Sequence, residues 1–204
     1  MRSFKDRVTV DDGNLFFIFE TKVYESDQFV AGYYSRVDDL GHVLMCDIDT
    51  GFKIGKPRLK LLGLTLARKI KAPDLIVIKS AKGYHVLTTG VYGPEVMSTF
   101  YDIVGRACAG WFKEDCTVDF RHLASGYLRD PVEWTLRFSP KVDGEPPFSL
   151  IYEEVFPATG TYNFSGLYSE THRAFLQWYL RRKFNRRPFA TPYACKLPLG
   201  VYRL

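Results

Sequence analysis

The chain has 204 residues, of which 46% are hydrophobic and 25% charged, so it is long enough for one globular domain with a substantial core. Its net charge of +5 at pH 7 permits a polyanionic partner without requiring one. No apolar run reaches the roughly 18 residues that cross a bilayer, and the N-terminus lacks the apolar segment of a signal peptide. We therefore expect a cytoplasmic or nucleoid-associated protein with no membrane partner.

The first half of the chain predicts strands followed by a helix. Residues 14–20 and 29–35 are apolar and aromatic, and each is predicted to form a buried strand. A third apolar strand, residues 42–49, ends in an Asp-x-Asp pair. Pro57 then opens a helix whose leucines recur at helical spacing, and Pro73 ends it.

The Asp-x-Asp pair is the first candidate for chemistry. Because side chains alternate along a strand, Asp47 and Asp49 point one way while Cys46 and Ile48 point the other. Carboxylates this close repel each other unless a cation lies between them. Mg²⁺ and Mn²⁺ suit such hard oxygen ligands, usually together with substrate phosphates. The same pair is also compatible with two acids at a strand end that simply face water.

The second candidate is the turn that follows the next strand. Residues 75–78 are β-favouring and predict a central strand. A strand, a helix and a second strand in succession predict a parallel crossover. That crossover would bring the Asp pair and the turn from Ser80 to His85 to the same edge of the sheet.

The rest of the chain carries weaker signals. The predicted elements are a helix opened by Pro94, short strands at 117–120, 132–139 and 148–155, and a basic helix at about 168–187. The four cysteines form no CxxC pair, so we expect reduced and mostly buried thiols instead of a zinc site.

Two clusters of basic residues stand out. One follows the acidic pair and contains Lys53, Lys56, Arg58 and Lys60, and the other occupies residues 181–187 of the C-terminal helix. Either cluster could contact a phosphate backbone, or form a solvated helix face. The C-terminal cluster also suits the negative end of the helix dipole.

Three motifs in this order resemble the archaeo-eukaryotic primase superfamily, which includes primase small subunits, primase-polymerases and the polymerase domain of bacterial end-joining ligases. Cys46-Asp-Ile-Asp49 is similar to its first motif, an apolar strand ending in Asp-x-Asp. Ser80-Ala-Lys-Gly-Tyr-His85 is similar to the second, Ser-x-x-x-Gly-x-His, with one residue fewer. Val118-Asp119 resembles the third, a lone Asp on a later strand. Leu136-Arg-Phe-Ser-Pro-Lys141 is similar to the Arg strand, Ser and Lys that often follow.

This resemblance, which spans about residues 40–145, implies a fold and a metal site. The implied fold is α/β (α+β), a single catalytic domain over residues 1–204 with a mixed central sheet flanked by helices and an RRM-like half. Asp47, Asp49 and Asp119 would hold two Mg²⁺ or Mn²⁺ ions, roughly 3.5–4 Å apart in such sites. Asp115 and Asp130 are alternatives to Asp119, which could instead pair with Arg121.

The resemblance also implies a nucleotide site. Residues that would contact the triphosphate are Ser80, Lys82, His85, Arg137 and Lys141. Read alone, His85 could be a satisfied core histidine, Ser80 an ordinary turn residue, and the three cations ordinary surface groups.

The implied activity is DNA primase or DNA-directed polymerase, a metal-dependent nucleotidyltransferase of replication or repair. Its partners would be nucleoside triphosphates, a single-stranded or primed DNA template, and a helicase or other replication and repair proteins. One alternative is a non-catalytic nucleic-acid- or nucleotide-binding module of the same fold. Another is a different metal-dependent replication nuclease.

Overall fold

The computed structural model describes residues 3–10, 15–22, 28–37, 39–112, 115–137, 148–156, 166–169, 172–173, 176 and 201–203. These residues form a mixed α/β structure with two sheets and three helices. Every strand pair among them is antiparallel. The α+β class is confirmed, but the prediction of a mixed sheet is wrong for the described strands.

The smaller sheet is built largely from the N-terminal region. Its strands are β1 (Ser3–Val10), β2 (Leu15–Lys22), β3 (Gln28–Tyr34) and β9 (Thr135–Arg137), in the order β1-β2-β3-β9. Strands β2 and β3 confirm that residues 14–20 and 29–35 form strands, while the burial of their side chains stays a prediction. The predicted strand at 132–139 is shorter within the described residues, because only 135–137 pair with β3.

The larger sheet carries the candidate site. Its strands are β4 (Arg36–Val37), β5 (Gly41–Asp49), β6 (Asp74–Lys79), β7 (Gly83–Tyr92), β8 (Thr117–Val118), β10 (Ser149–Val155), β11 (Leu167–Ser169) and β12 (Val201–Arg203). The order across the sheet is β10-β6-β7-β5, and both β4 and β8 pair with β5. Strand β11 pairs with the end of β7, and β12 pairs with β11.

Three helices accompany the larger sheet: α1 (Lys56–Ile70), α2 (Glu95–Gly110) and α3 (Phe120–Tyr127). Helix α1 joins β5 to β6, and α2 joins β7 to β8, which makes two split β-α-β units with strand order β8-β5-β7-β6. The predicted crossover is therefore right in strand direction. However, β5 and β6 are not neighbours in the sheet, because β7 lies between them and pairs antiparallel with both.

Two other predictions need correction. The predicted strand at 117–120 covers only β8, since Asp119 caps α3 and Phe120 is the first residue of that helix. The predicted helix at 168–187 begins too early, because Leu167–Ser169 form β11 and the helical residues described are 172–173 and 176. The basic cluster at 181–187 lies outside the described residues.

The core lies between the larger sheet and its helices. The fully buried side chains include Leu44 and Ile48 of β5, Leu59, Leu62 and Leu66 of α1, and Phe100 and Val104 of α2. Each such side chain stabilises the fold by about 1.5–3 kcal/mol. Cys46, Cys108 and Cys116 are free and buried, as predicted for the cysteines in this part of the chain. Every helix within the described residues is too short or too polar to cross a membrane.

Asp74, the first residue of β6, is a buried carboxylate that ties β6 to β7. It accepts hydrogen bonds from the Thr89 backbone N–H at 2.7 Å, the Thr89 hydroxyl at 2.5 Å and the Thr88 hydroxyl at 3.0 Å. Burial raises the pKa of Asp74, although the hydrogen bonds from Thr89 oppose this shift. The bonds fix the start of β6 against β7 at the end of the sheet away from the Asp pair.

We expect Asp74→Ala to lower the free energy of unfolding by about 3 kcal/mol, because buried donors lose their acceptor. Urea denaturation measures the change. The matched control is Asp102→Ala, which removes an exposed i,i+4 partner of Arg106 and is expected to cost less than about 0.5 kcal/mol. Equal losses in the two variants would contradict this role of Asp74.

Candidate active site

The register between β5 and β7 assembles the centre of the site. Asp47 lies opposite His85 and Asp49 lies opposite Gly83. Cys46, one position earlier on β5, is fully buried and lies near Cys108 of α2, with burial raising the pKa of its thiol. Because the strand alternates, Asp47 and Asp49 lie on the opposite face from the helices. The Asp pair and His85 therefore lie close together, as the sequence predicted.

The His85 side chain is buried beside the partly exposed carboxylate of Asp47. Its Nε2 atom lies 3.5 Å from Oδ1 of Asp47, and the two side chains are 6% and 35% exposed respectively. The imidazole also packs at a tilt against Phe148, with ring centroids 5.2 Å apart. The structure therefore places His85 at the end of the sheet that carries Asp47 and Asp49, here called the acidic edge. Its ring is held between a carboxylate and an aromatic side chain.

The turn between β6 and β7 is held rigidly beside the Asp pair. The Ser80 hydroxyl accepts the N–H of Gly83 at 3.0 Å, and the Ser80 N–H donates to the Gly83 carbonyl at 3.0 Å. The Lys82 carbonyl accepts the N–H of Thr50, at 3.3 Å, and the Lys82 side chain is exposed. Ser80 thus has a structural role in the turn, while its own O–H can still donate to a ligand.

Asp119 reaches the same edge of the sheet through its backbone. Its N–H donates to the carbonyl of Asp47 at 3.1 Å, which continues the β8–β5 ladder. Its side chain caps α3, because Oδ1 accepts the N–H of Arg121 at 3.0 Å. The same oxygen lies 3.7 Å from Nε of the exposed Arg121, so the ion pair considered from the sequence is also formed.

The carboxylates make a partial metal-binding set. Within the described residues, no three His, Cys, Asp or Glu side chains lie close enough together to hold a metal ion. Mg²⁺ needs only one or two carboxylates when phosphates and waters complete its coordination. Asp47 and Asp49 supply two on one strand face, with Cα atoms about 7 Å apart. Asp115, one alternative third ligand, lies beside Gly51, its Oδ2 3.5 Å from where a Cβ on Gly51 would be.

A hydrogen-bonded chain behind Asp119 was not predicted from the sequence. The Thr135 carbonyl lies 2.9 Å from His122 Nε2, and the Tyr101 hydroxyl lies 2.5 Å from His122 Nδ1. Since a carbonyl only accepts, Nε2 carries the proton and Tyr101 donates to Nδ1. Burial raises the pKa of Tyr101, with further contributions from nearby Cys46, Asp119 and Asp47. The chain connects α2, α3 and β9, and no local pattern signals it because its members are distant in sequence.

The other histidines also have structural partners. His42 Nδ1 lies 3.0 Å from the Ser35 hydroxyl, and its ring meets Trp134 edge-on. His172 lies 2.7 Å from the Ser169 hydroxyl and 2.8 Å from the Tyr34 carbonyl. Of the four histidines, His85 is the one whose ion-pair partner in the described structure is a carboxylate of the Asp-x-Asp pair.

The remaining predicted ligands have different outcomes. Arg137 is half-buried in β9, where it pairs with Gly32 in the smaller sheet. Its role as a nucleotide ligand stays a prediction. Lys141 lies outside the described residues. Asp130 is exposed and follows α3, in a cis peptide with Pro131.

Comparisons of the chain with protein-family models, with curated proteins and with solved structures find no match.

Gly83 allows the close approach of β7 to β5 at the Asp pair. A Cβ at this position would lie 1.8 Å from the Ile48 carbonyl oxygen, so Gly83→Ala must displace one strand. We expect the free energy of unfolding to fall by more than about 2 kcal/mol, as in overpacked sites. Gly110→Ala is the matched control, because nothing lies within 4 Å of a Cβ there. Chemical denaturation of both variants tests the difference, and unchanged stability of Gly83→Ala would contradict it.

His122 gives a pH dependence of known sign. Burial lowers its pKa below 6.5, so the unfolded chain binds its proton more readily than the folded protein does. Its contribution to stability is present above about pH 6.5 and is lost as pH falls toward the folded-state pKa. We expect the stability advantage of the native protein over His122→Gln to shrink between neutral and mildly acidic pH. Thermal denaturation across that range measures it, and a constant advantage would contradict the assignment.

Proposed function

We propose that this protein is a metal-dependent nucleotidyltransferase of the primase-polymerase type, which joins nucleotides on a DNA template in replication or repair. One observation carries the proposal: Asp47, Asp49 and His85 lie on one face of the larger sheet, where β5 ends and β7 begins, beside the turn from Ser80 to Gly83. The strand order β8-β5-β7-β6, with a helix in each crossover, is the topology expected of an RRM-like half and supports a primase-like core.

Asp47 and Asp49 would hold Mg²⁺ or Mn²⁺, and Asp119 would be the third ligand. When bound, two such ions stabilise the attacking and leaving oxygens of an in-line phosphoryl displacement. Asp119 is the best placed of the three candidate third ligands, because it continues the strand that pairs with the Asp47 strand. Because Oδ1 of Asp119 accepts the N–H of Arg121, the carboxylate has a fixed orientation, and its other oxygen would bind the metal ion.

His85 and the turn would orient the triphosphate. His85 would hydrogen-bond a phosphate oxygen through Nε2, the ring nitrogen that faces Asp47 in the described structure. The Ser80 hydroxyl and the exposed Lys82 ammonium lie on the turn beside the strand pair and would contact the same phosphates. Arg137 and Lys141 would supply further positive charge, Arg137 through its planar fork.

Asp47→Asn is expected to reduce primer extension by about a thousandfold or more, because it removes a metal-ligating charge worth several kcal/mol in the transition state. Extension is measured on single-stranded and primed templates, with ribonucleotides or deoxyribonucleotides and with Mg²⁺ or Mn²⁺. Asp102→Asn is the control, since Asp102 is exposed and pairs with Arg106 on the surface.

Three results would overturn the proposal. Full activity of Asp47→Asn would remove the metal assignment. Binding of DNA and nucleotide without synthesis under any condition would favour the non-catalytic module. Cleavage of DNA without added nucleotides would favour a nuclease.

A further inference from the structure

Positive charge is concentrated on one helix and its flanking loops. Residues 50–73 contain seven lysines and arginines and no aspartate or glutamate. The whole chain has a net charge of only +5, so the rest of the protein carries a net negative charge. Nearly all of these 24 residues belong to α1 or to the loop between β5 and α1. Within the described residues, α1 and its flanking loops therefore present a strongly cationic surface.

All seven cations of this surface are exposed: Lys53, Lys56, Arg58, Lys60, Arg68, Lys69 and Lys71. The ion pairs in the described part of the chain involve none of them. Exposed cations that are not engaged in ion pairs can bind a polyanion without first breaking an internal salt bridge.

The cations fall into two groups at opposite ends of α1. Arg68 and Lys69 lie in the last turn, where they stabilise the negative end of the helix dipole. Their position has a sufficient structural explanation without a ligand.

The group at the start of α1 has no such explanation. The first turn contains Lys56, Arg58 and no acidic residue, which places positive charge at the positive end of the dipole. Lys56 and Lys60 are also four residues apart, so their like charges repel on one helix face. Both effects destabilise the isolated helix, and a bound polyanion would relieve both.

The loop before α1 is fixed to the sheet that carries the Asp pair. The Tyr84 hydroxyl donates to the Phe52 carbonyl at 3.2 Å and accepts the N–H of Ile54 at 3.3 Å. The Lys79 ammonium covers the Tyr84 ring at 4.5 Å. Lys53 therefore sits on an anchored loop only four residues after Asp49.

We propose that Lys53, Lys56, Arg58 and Lys60 form a surface that binds the sugar-phosphate backbone of single-stranded nucleic acid and leads it to the Asp47–Asp49 edge. The inference extends the proposed function, since the bound strand would be the template. Its binding step does not depend on catalysis. Lys56 and Lys60 lie about 6 Å apart along the helix axis and Lys53 precedes them in the loop, so the surface spans a few phosphates.

The test compares two triple variants of equal charge change. Lys53→Gln/Lys56→Gln/Lys60→Gln alters the start of α1, and Arg68→Gln/Lys69→Gln/Lys71→Gln alters its end. Fluorescence anisotropy with a labelled oligothymidylate is measured over a series of salt concentrations. We expect the first variant to bind at least about tenfold more weakly at low salt, with a salt slope reduced by about 2. The second should bind nearly as the native protein does.

Two controls make the outcome decisive. Thermal denaturation should show the first variant to be at least as stable as the native protein, since repulsion is removed. Asp47→Asn should still bind DNA, so a failure of catalysis is distinguishable from a failure of this surface. Equal weakening of DNA binding by both triple variants would overturn the proposal. Binding of the variants to phosphatidylserine vesicles is measured as well. The proposal would also be overturned if the first variant lost vesicle binding while its DNA binding stayed unchanged.

Discussion

The candidate site depends on one interaction, the antiparallel pairing of β5 with β7. Its register sets Asp47 opposite His85 and Asp49 opposite Gly83. The pairing is possible at this closeness because residue 83 has no Cβ to meet the Ile48 carbonyl. A slip of one residue would turn both carboxylates toward the helices and bury two charges, at a high free-energy cost. The alternation of buried and acidic side chains from Cys46 to Asp49 therefore disfavours such a slip.

Hydrogen bonds at both ends of the sheet support that pairing. At one end of the sheet, Asp74 binds both threonines of β7 and fixes β6 against it. At the other end, the Lys82 carbonyl and the Asp119 N–H bind the residues around the Asp pair. The acidic edge is thus part of a rigid sheet, while the cationic start of α1 lies a few residues beyond it. The proposed function would use both groups, the carboxylates for metal-bound phosphates and the cations for a polyanionic strand.

The sequence predicts much of this arrangement, for reasons that particular residues make clear. The alternation at Cys46–Asp49 and the prolines around α1 are local signals, and they place the Asp pair and the helix correctly. The position of β7 between β5 and β6 depends on contacts between residues far apart in the sequence, so local sequence patterns do not predict it. Helix α3 was missed because Thr117–Phe120 reads as a β-favouring segment, although Asp119 is a helix cap. The Tyr101–His122–Thr135 chain joins three separate elements, so only the folded structure reveals it.

The central claim is that the Asp47–Asp49 edge binds a nucleotide through divalent ions. Isothermal titration calorimetry with a non-hydrolysable deoxynucleoside triphosphate, with Mn²⁺ or with chelator, tests it most directly. We expect tight binding only with Mn²⁺, a large loss of affinity in Asp47→Asn, and a smaller loss in His85→Ala. Nucleotide binding of equal strength with and without the metal, unchanged in Asp47→Asn, would contradict the account.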